Sequence, residues 1–283
     1  MIKTLIAALT LLLACAGTLA AGPAMTPERA PRSSHDLPAL QNGAKLFINY
    51  CLSCHSAQAV RYNTLQELGL SEQQIRDNLL FTGESTSDPM RIAMTPEEAR
   101  KWFGIAPPDL SVIARAKSTS GGASGSDYLY TYLRSFYRDS STLTGWNNLL
   151  APGTAMPHAL WERQGPRELK RVFVRETPGP GGDIRWEKVT TLYDVQGYAM
   201  STASSVTPKE GQAVMPEAVF KALDPARAAA YDRDIADLTA FMTWMAEPVR
   251  HFRIQLGIGV MIFLGLFLLV AWRLNAAYWK HVR

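Results

Sequence analysis

Cysteine is scarce in this 283-residue chain, at Cys15, Cys51 and Cys54 only. So few thiols exclude a disulfide framework. A structural zinc site wants four Cys or His ligands. The five histidines, His35, His55, His158, His251 and His281, supply no second pair at finger spacing. A surplus of one charge is also missing. The formal net charge is +4, yet residues 22–250 hold 24 basic and 25 acidic side chains, a net of −1. The basic excess lies beside the apolar ends, which leaves no footprint for nucleic acid. Internal repeats are absent, and long apolar runs occur only at the two termini.

Both runs have a topological meaning. The first, MIKTLIAALTLLLACAGTLAAGP, has Lys3, an apolar stretch from Leu5 to Leu13, and small residues at Ala20 and Ala21. It is too short to span a bilayer and reads as a secretory signal over residues 1–21. Leu12-Leu13-Ala14-Cys15 loosely resembles a lipoprotein cleavage box, with Leu13 bulky for its place. The second run, Ile254 to Trp272, has 19 residues without a charge, about the length that crosses a bilayer. Arg250 and Arg253 flank one end and Arg273, Lys280 and Arg283 the other, with Trp272, Tyr278 and Trp279 as interfacial anchors. These features divide the chain into an exported domain at 22–250, a transmembrane helix at 251–272 and a cytoplasmic tail at 273–283. The expected location is a bacterial inner membrane, crossed once, with the domain in the periplasm and lipid around the anchor.

Removal of the signal leaves Cys51 and Cys54 in an oxidising compartment without further cysteines. They stand in Cys-Leu-Ser-Cys-His, residues 51–55. A thioredoxin-like pair has the same spacing, but its flanking strand-then-helix alternation is missing here. Covalent haem accounts for all three residues. The two sulfurs, one helical turn apart, each bond a vinyl group of one porphyrin edge, and His55 is delivered to the iron. For the sixth ligand, spacing alone leaves three candidates open. Met156 in PGTAMPHAL and Met215 in GQAVMPEAV are loop methionines braced by proline, and His158 is the rival two residues beyond Met156.

Helices are predicted from Gly43 to Tyr50, from Ser71, from Thr95-Pro96-Glu97-Glu98, from an Asp109 cap to Lys117, from Asp127 to Arg138, and from Tyr231 to Glu247, where Pro248 interrupts. Residues 22–38 read as an extended lead and 118–126, STSGGASGS, as a flexible loop. LKRVFVRET and IRWEKVTTLYD, split by PGPGGD, predict a β-hairpin.

The CLSCHS motif followed by Arg61-Tyr62 comes first in an ordered set of segments. PPDLSVIARAK (107–117), SDYLYTYLRSFY (126–137), AMPHALWE (155–162) and FMTWMAEP (241–248) follow, the last leading into the anchor. In that order they resemble the cytochrome c1 family, the haem subunit of the cytochrome bc1 complex, in its proteobacterial form. The likeness covers most of the mature chain. It implies a mainly α, class-I cytochrome c-like haem domain with a loop or β-hairpin insertion and one C-terminal transmembrane helix. It implies one covalently attached haem c on Cys51 and Cys54, with His55 and Met156 as iron ligands. Pro107 and Pro108 become a wall of the haem pocket, Arg115 and Tyr128 neighbours of a propionate, and Met215 a surface-loop residue. Gly43 and Phe47 are expected to cross the 231–247 helix. The implied partners are cytochrome b, the Rieske iron–sulfur subunit and a soluble or membrane-bound cytochrome c acceptor.

The resemblance departs at 162–227, longer than in mitochondrial members, at the expanded 118–126 loop, and at Trp244-Met245-Ala246-Glu247-Pro248 in place of WAAEP. On this reading the chain is the electron-transfer subunit of a quinol:cytochrome c reductase, with no substrate chemistry of its own. The alternatives are a haem enzyme or gas sensor with an open axial position, or a monohaem subunit of a terminal oxidase.

Overall fold

The computed structural model describes residues 25–31, 36–119, 122–178, 184–207 and 216–281. The expected signal segment, Met215, His35 and the PGPGGD turn beyond Pro178 fall outside them. The first helix among the described residues, α1 (Leu37–Leu46), begins six residues before the expected Gly43, because Pro38 occupies its first turn and tolerates the missing N–H there. From Phe47 to Cys51 the ladder widens to a π-helical turn, with Leu52 N–H donating to Phe47 O at 3.0 Å. This turn hands the chain directly to the Cys-x-x-Cys-His segment.

Packed across α1 is the long helix α7 (Pro225–Ala246), which starts before the expected Tyr231 because Asp224 caps it through Arg227 N–H. Gly43 marks the crossing. A Cβ there would lie 2.2 Å from Asp237 O and 2.6 Å from the Phe241 Cβ. Phe47 and Phe241 meet nearby with ring centroids 5.5 Å apart. Around this contact Leu40, Ala44, Ile235, Leu238, Met242 and Met245 form the centre of the core.

Three other helices start where their cap residues dictate. Ser71, Thr95 and Ser124 each form a reciprocal capping box, opening α2 (Glu72–Asn78), α3 (Pro96–Phe103) and α5 (Gly125–Arg134). The expected helix from Asp109 to Lys117 is shorter, with only Ile113–Ala116 (α4) regular. Asp109 is committed elsewhere. Its carboxylate accepts from Gln58 N–H and Ser111 N–H, both at 2.8 Å. The expected helix to Arg138 stops at Arg134, since Asn148 donates to Tyr132 O at 2.8 Å, a carbonyl in the last turn. Phe136–Arg138 (β3) then pairs with Trp146–Asn148 (β4). A smaller ladder joins Ala57–Arg61 (β1) to Pro89–Met90 (β2).

The expected hairpin is present as β5 (Arg167–Pro178) and β6 (Ile184–Tyr193). Two more strands, β7 (Ala199–Val206) and β8 (Glu217–Ala222), extend it to an antiparallel sheet of order β7-β6-β5-β8. The β7 sequence AMSTASSV carries little β-branched or alternating signal and stays largely exposed. Leu169, Val172 and Val189 are the buried apolar residues of this sheet. Past a short α6 (Trp161–Gln164), the chain thus combines helices, strands and one apolar C-terminal helix.

That last helix, α8 (Arg250–Tyr278), runs beyond the expected Trp272 and presents its apolar side chains outward. It is long and apolar enough to cross a membrane. Glu247, at the break between α7 and α8, faces three arginines: Arg115 at 3.2 Å, Arg250 at 3.4 Å and Arg253 at 3.2 Å. Helix α4 is thereby tied to the first turn of α8.

Candidate functional site

The π-turn after α1 leaves Cys51 and Cys54 on one tight turn. Cys54 N–H and His55 N–H both donate to Cys51 O, at 3.0 and 2.8 Å. Both cysteines are half-buried. Burial, with Cys54 beside it, pushes the Cys51 thiol up to about 12. A disulfide oxidoreductase needs the opposite shift toward thiolate.

His55 is oriented by the proline loop. Its Nδ1 lies 2.8 Å from Pro108 O, and a carbonyl only accepts, so Nδ1 carries the proton. Nε2 keeps its lone pair for a metal, with the ring held by the arrangement that orients ligating histidines. Burial lowers the His55 pKa, against the Pro108 hydrogen bond and Asp109, which act the other way. The proline loop is itself stitched to the strand after the motif, through Leu110 N–H to Ser56 O at 2.8 Å and the Asp109 bond to Gln58. Pro107 and Cys54 line one cavity of about 270 Å³. Neither proline brings an N–H that an apolar ring face would strand.

Met156 is half-buried against the core. Its sulfur lies 3.5 Å from the Tyr132 hydroxyl, which is also 3.0 Å from Thr154 Oγ1. A thioether has no proton to give, so the Tyr132 proton points to sulfur and Thr154 donates to the Tyr132 oxygen. The Tyr132 ring is fixed by stacking on Tyr128 at 6.0 Å and by an edge contact with Phe136 at 5.2 Å. Sulfur retains a second lone pair for a metal. Two thiols on one turn, an imidazole with Nε2 unspent and an oriented thioether are the donor set a covalent haem requires.

The other sequence candidates lie as follows. Arg115 is held by Glu247, and the cation over the Tyr128 ring is Lys117, 4.9 Å from its centroid. His158 is turned into the core at 2% exposure, stacked on Phe136 at 4.8 Å and edge-on to Trp146 at 4.9 Å. Sequence reasoning missed Tyr132, Lys117 and the Pro108 carbonyl. The four-residue spacing of Tyr128 and Tyr132 on one helix face was the available signal for Tyr132.

His158 has a measurable consequence. Burial, then the nearby Arg167, lower its pKa to about 3, with a Gln164 hydrogen bond opposing. The unfolded chain takes up this proton near pH 6.5 and the folded one does not until about pH 3, so stability falls as pH drops through that window. The expected slope is about 1.4 kcal/mol per pH unit from this group. Denaturant titrations between pH 6 and pH 4 should show about one proton less of uptake on unfolding for His158→Phe, and an unchanged slope would refute the assignment.

Comparison with known proteins places these residues in context. The Cytochrome C1 family model matches residues 27–166. "Ammonia monooxygenase gamma subunit" of Nitrosomonas europaea is 38% identical over 282 residues, covering 100% of this chain and 99% of that protein. "Cytochrome c1" of Allochromatium vinosum is 36% identical over 281 residues, covering 99% of each. "Cytochrome c1" of Rhodospirillum rubrum is 26% identical over 266 residues, covering 88% of this chain and 84% of that one.

Proposed function

The chain belongs to the cytochrome c1 family and carries one covalently bound haem c, and on that premise we propose that it is the membrane-anchored electron relay of a cytochrome bc1 complex. Haem bound at this position supplies a one-electron iron couple. Cys51 and Cys54 hold it by thioether bonds. His55 Nε2 and Met156 Sδ would bind its iron. The observation that carries this is the His55 ring, whose Nδ1 is committed to Pro108 O while Nε2 stays unspent.

The rest of the site follows from charge and polarity. Pro107 and Pro108 wall the pocket. Tyr128, Lys117 over its ring, and Arg115 make a cationic edge for the propionates, whose burial without partners would be costly. We read the crossing of α1 and α7 at Gly43 as the terminal-helix contact of a class-I cytochrome c. In this reading residues 1–21 are removed as a signal, the haem domain faces the periplasm, and α8 crosses the inner membrane. The electron arrives from a Rieske iron–sulfur centre and leaves to a cytochrome c. Ubiquinol oxidation belongs to the complex and not to this subunit.

The name of one relative favours a second reading, a subunit serving a monooxygenase. Purification of the tagged full-length chain from solubilised membranes of its host separates the two. Cytochrome b and an iron–sulfur protein are expected to accompany it. Monooxygenase subunits in their place would overturn the bc1 assignment.

A further inference from the structure

Away from the cysteine motif, between β4, α6 and the start of β5, lies a cavity of about 300 Å³. Three guanidinium groups line it: Arg138, Arg167 and Arg227. Among the described residues no carboxylate pairs with any of the three. Arg138 sits over the Trp146 ring at 4.1 Å and faces Trp161 at 5.7 Å. A cation–π contact uses none of its five N–H donors. Arg227 donates to the backbone carbonyl of Glu162, the acidic residue in the lining. Arg167 donates to the Arg134 and Phe136 carbonyls and lies over the Phe220 ring at 3.5 Å. These bonds explain its Nη2 and tie the sheet to α5.

They do not explain its Nε. That atom is buried without a partner, and so is Nε2 of Gln164, a side chain 4% exposed in the same lining. Both atoms are donors only. Unmatched buried donors and unpaired buried cations each carry a desolvation cost, and one acceptor-rich anion relieves both. A fixed guanidinium fork matches a carboxylate or phosphate edge.

We propose that this cavity is a binding site for a small soluble oxyanion, a carboxylate or phosphate, held by Arg138, Arg167, Arg227 and Gln164. The indoles of Trp146 and Trp161 back the Arg138 guanidinium and keep it in place. The site lies apart from the haem ligands and needs no haem chemistry.

The test uses the detergent-solubilised full chain with its haem in a chloride buffer of constant ionic strength. Inorganic phosphate and succinate are titrated separately by calorimetry. At least one is expected to bind saturably at one site per chain and to raise the melting temperature with concentration, which chloride does not do. Arg138→Gln and Arg227→Gln are each expected to weaken that binding about tenfold, the loss of one charge-assisted hydrogen bond. Preference between phosphate and succinate identifies the anion class. If a Gln variant does not fold, the Lys variant at the same position, which keeps the charge and loses the fork, replaces it and is expected to weaken binding as well. Absence of saturable binding of either, or equal binding by folded variants, would overturn the proposal.

Discussion

Replacing Met156 by alanine is expected to lower the haem reduction potential by on the order of several hundred millivolts, given the ~0.8 V range that axial ligation controls. A thioether is a weak donor that favours the ferrous state, so its loss to water or hydroxide stabilises the ferric form. The same variant should lose the weak far-red sulfur-to-iron band of the ferric protein and bind carbon monoxide when reduced. Redox titration and optical spectra check this. An unchanged band would move the sixth ligand elsewhere, Met215 being the remaining loop methionine braced by proline. Tyr132→Phe serves as the finer variant. It keeps Met156 and removes the hydrogen bond that draws density off the sulfur. The band should remain, and the potential should fall by about 20–60 mV. A net hydrogen bond is worth about 0.5–1.5 kcal/mol, and a tenfold change in a one-electron couple is about 59 mV.

Substitution at Gly43 is the second large effect. Alanine there brings its Cβ to 2.2 Å from Asp237 O, and that carbonyl belongs to the α7 backbone, where no rotamer change gives relief. The helices must part. The expected loss is at or above the ~1–3 kcal/mol usual for overpacking, and the ~1 kcal/mol gained in helix propensity does not offset it. Against total stabilities of about 5–15 kcal/mol this is a large fraction. Because α1 feeds the π-turn at Cys51, the displacement also reaches the haem attachment turn. Thermal melts and haem yield should both fall for Gly43→Ala, and further for Gly43→Val. Gly257→Ala, in the anchor with no atom within 4 Å of the added carbon, is the neutral control. A Gly43→Ala protein as stable as the control would mean that the crossing is looser than described.

Local chemistry was the legible part of this chain. The helix starts at Ser71 and Thr95 were visible because the cap and the residues that mark it lie within one turn, as was the Cys-x-x-Cys-His motif. Gly43 was legible as a point of close packing. What escaped depends on contacts between distant residues. Helix α5 ends at Arg134 because Asn148 takes up a last-turn carbonyl, and no pattern in residues 127–138 encodes that. The Pro108 carbonyl reaches His55 because Asp109 is bound to Gln58 instead of capping α4. Arg115 and Lys117 are two residues apart at a helix end, where which one reaches Tyr128 depends on Glu247, 132 positions away from Arg115 in sequence. Strand β7 carries little β-branched or alternating signal, so its pairing follows from β6 and not from its own pattern.

The most direct test of the relay account is stopped-flow mixing of the purified complex, oxidised and with its acceptor absent, with ubiquinol. The haem on Cys51 and Cys54 should become reduced within the turnover time of the complex. It should stay oxidised when the iron–sulfur subunit is removed and recover when that subunit is added back. Reduction at the same rate without the iron–sulfur subunit, or no reduction in the intact complex, would contradict the account.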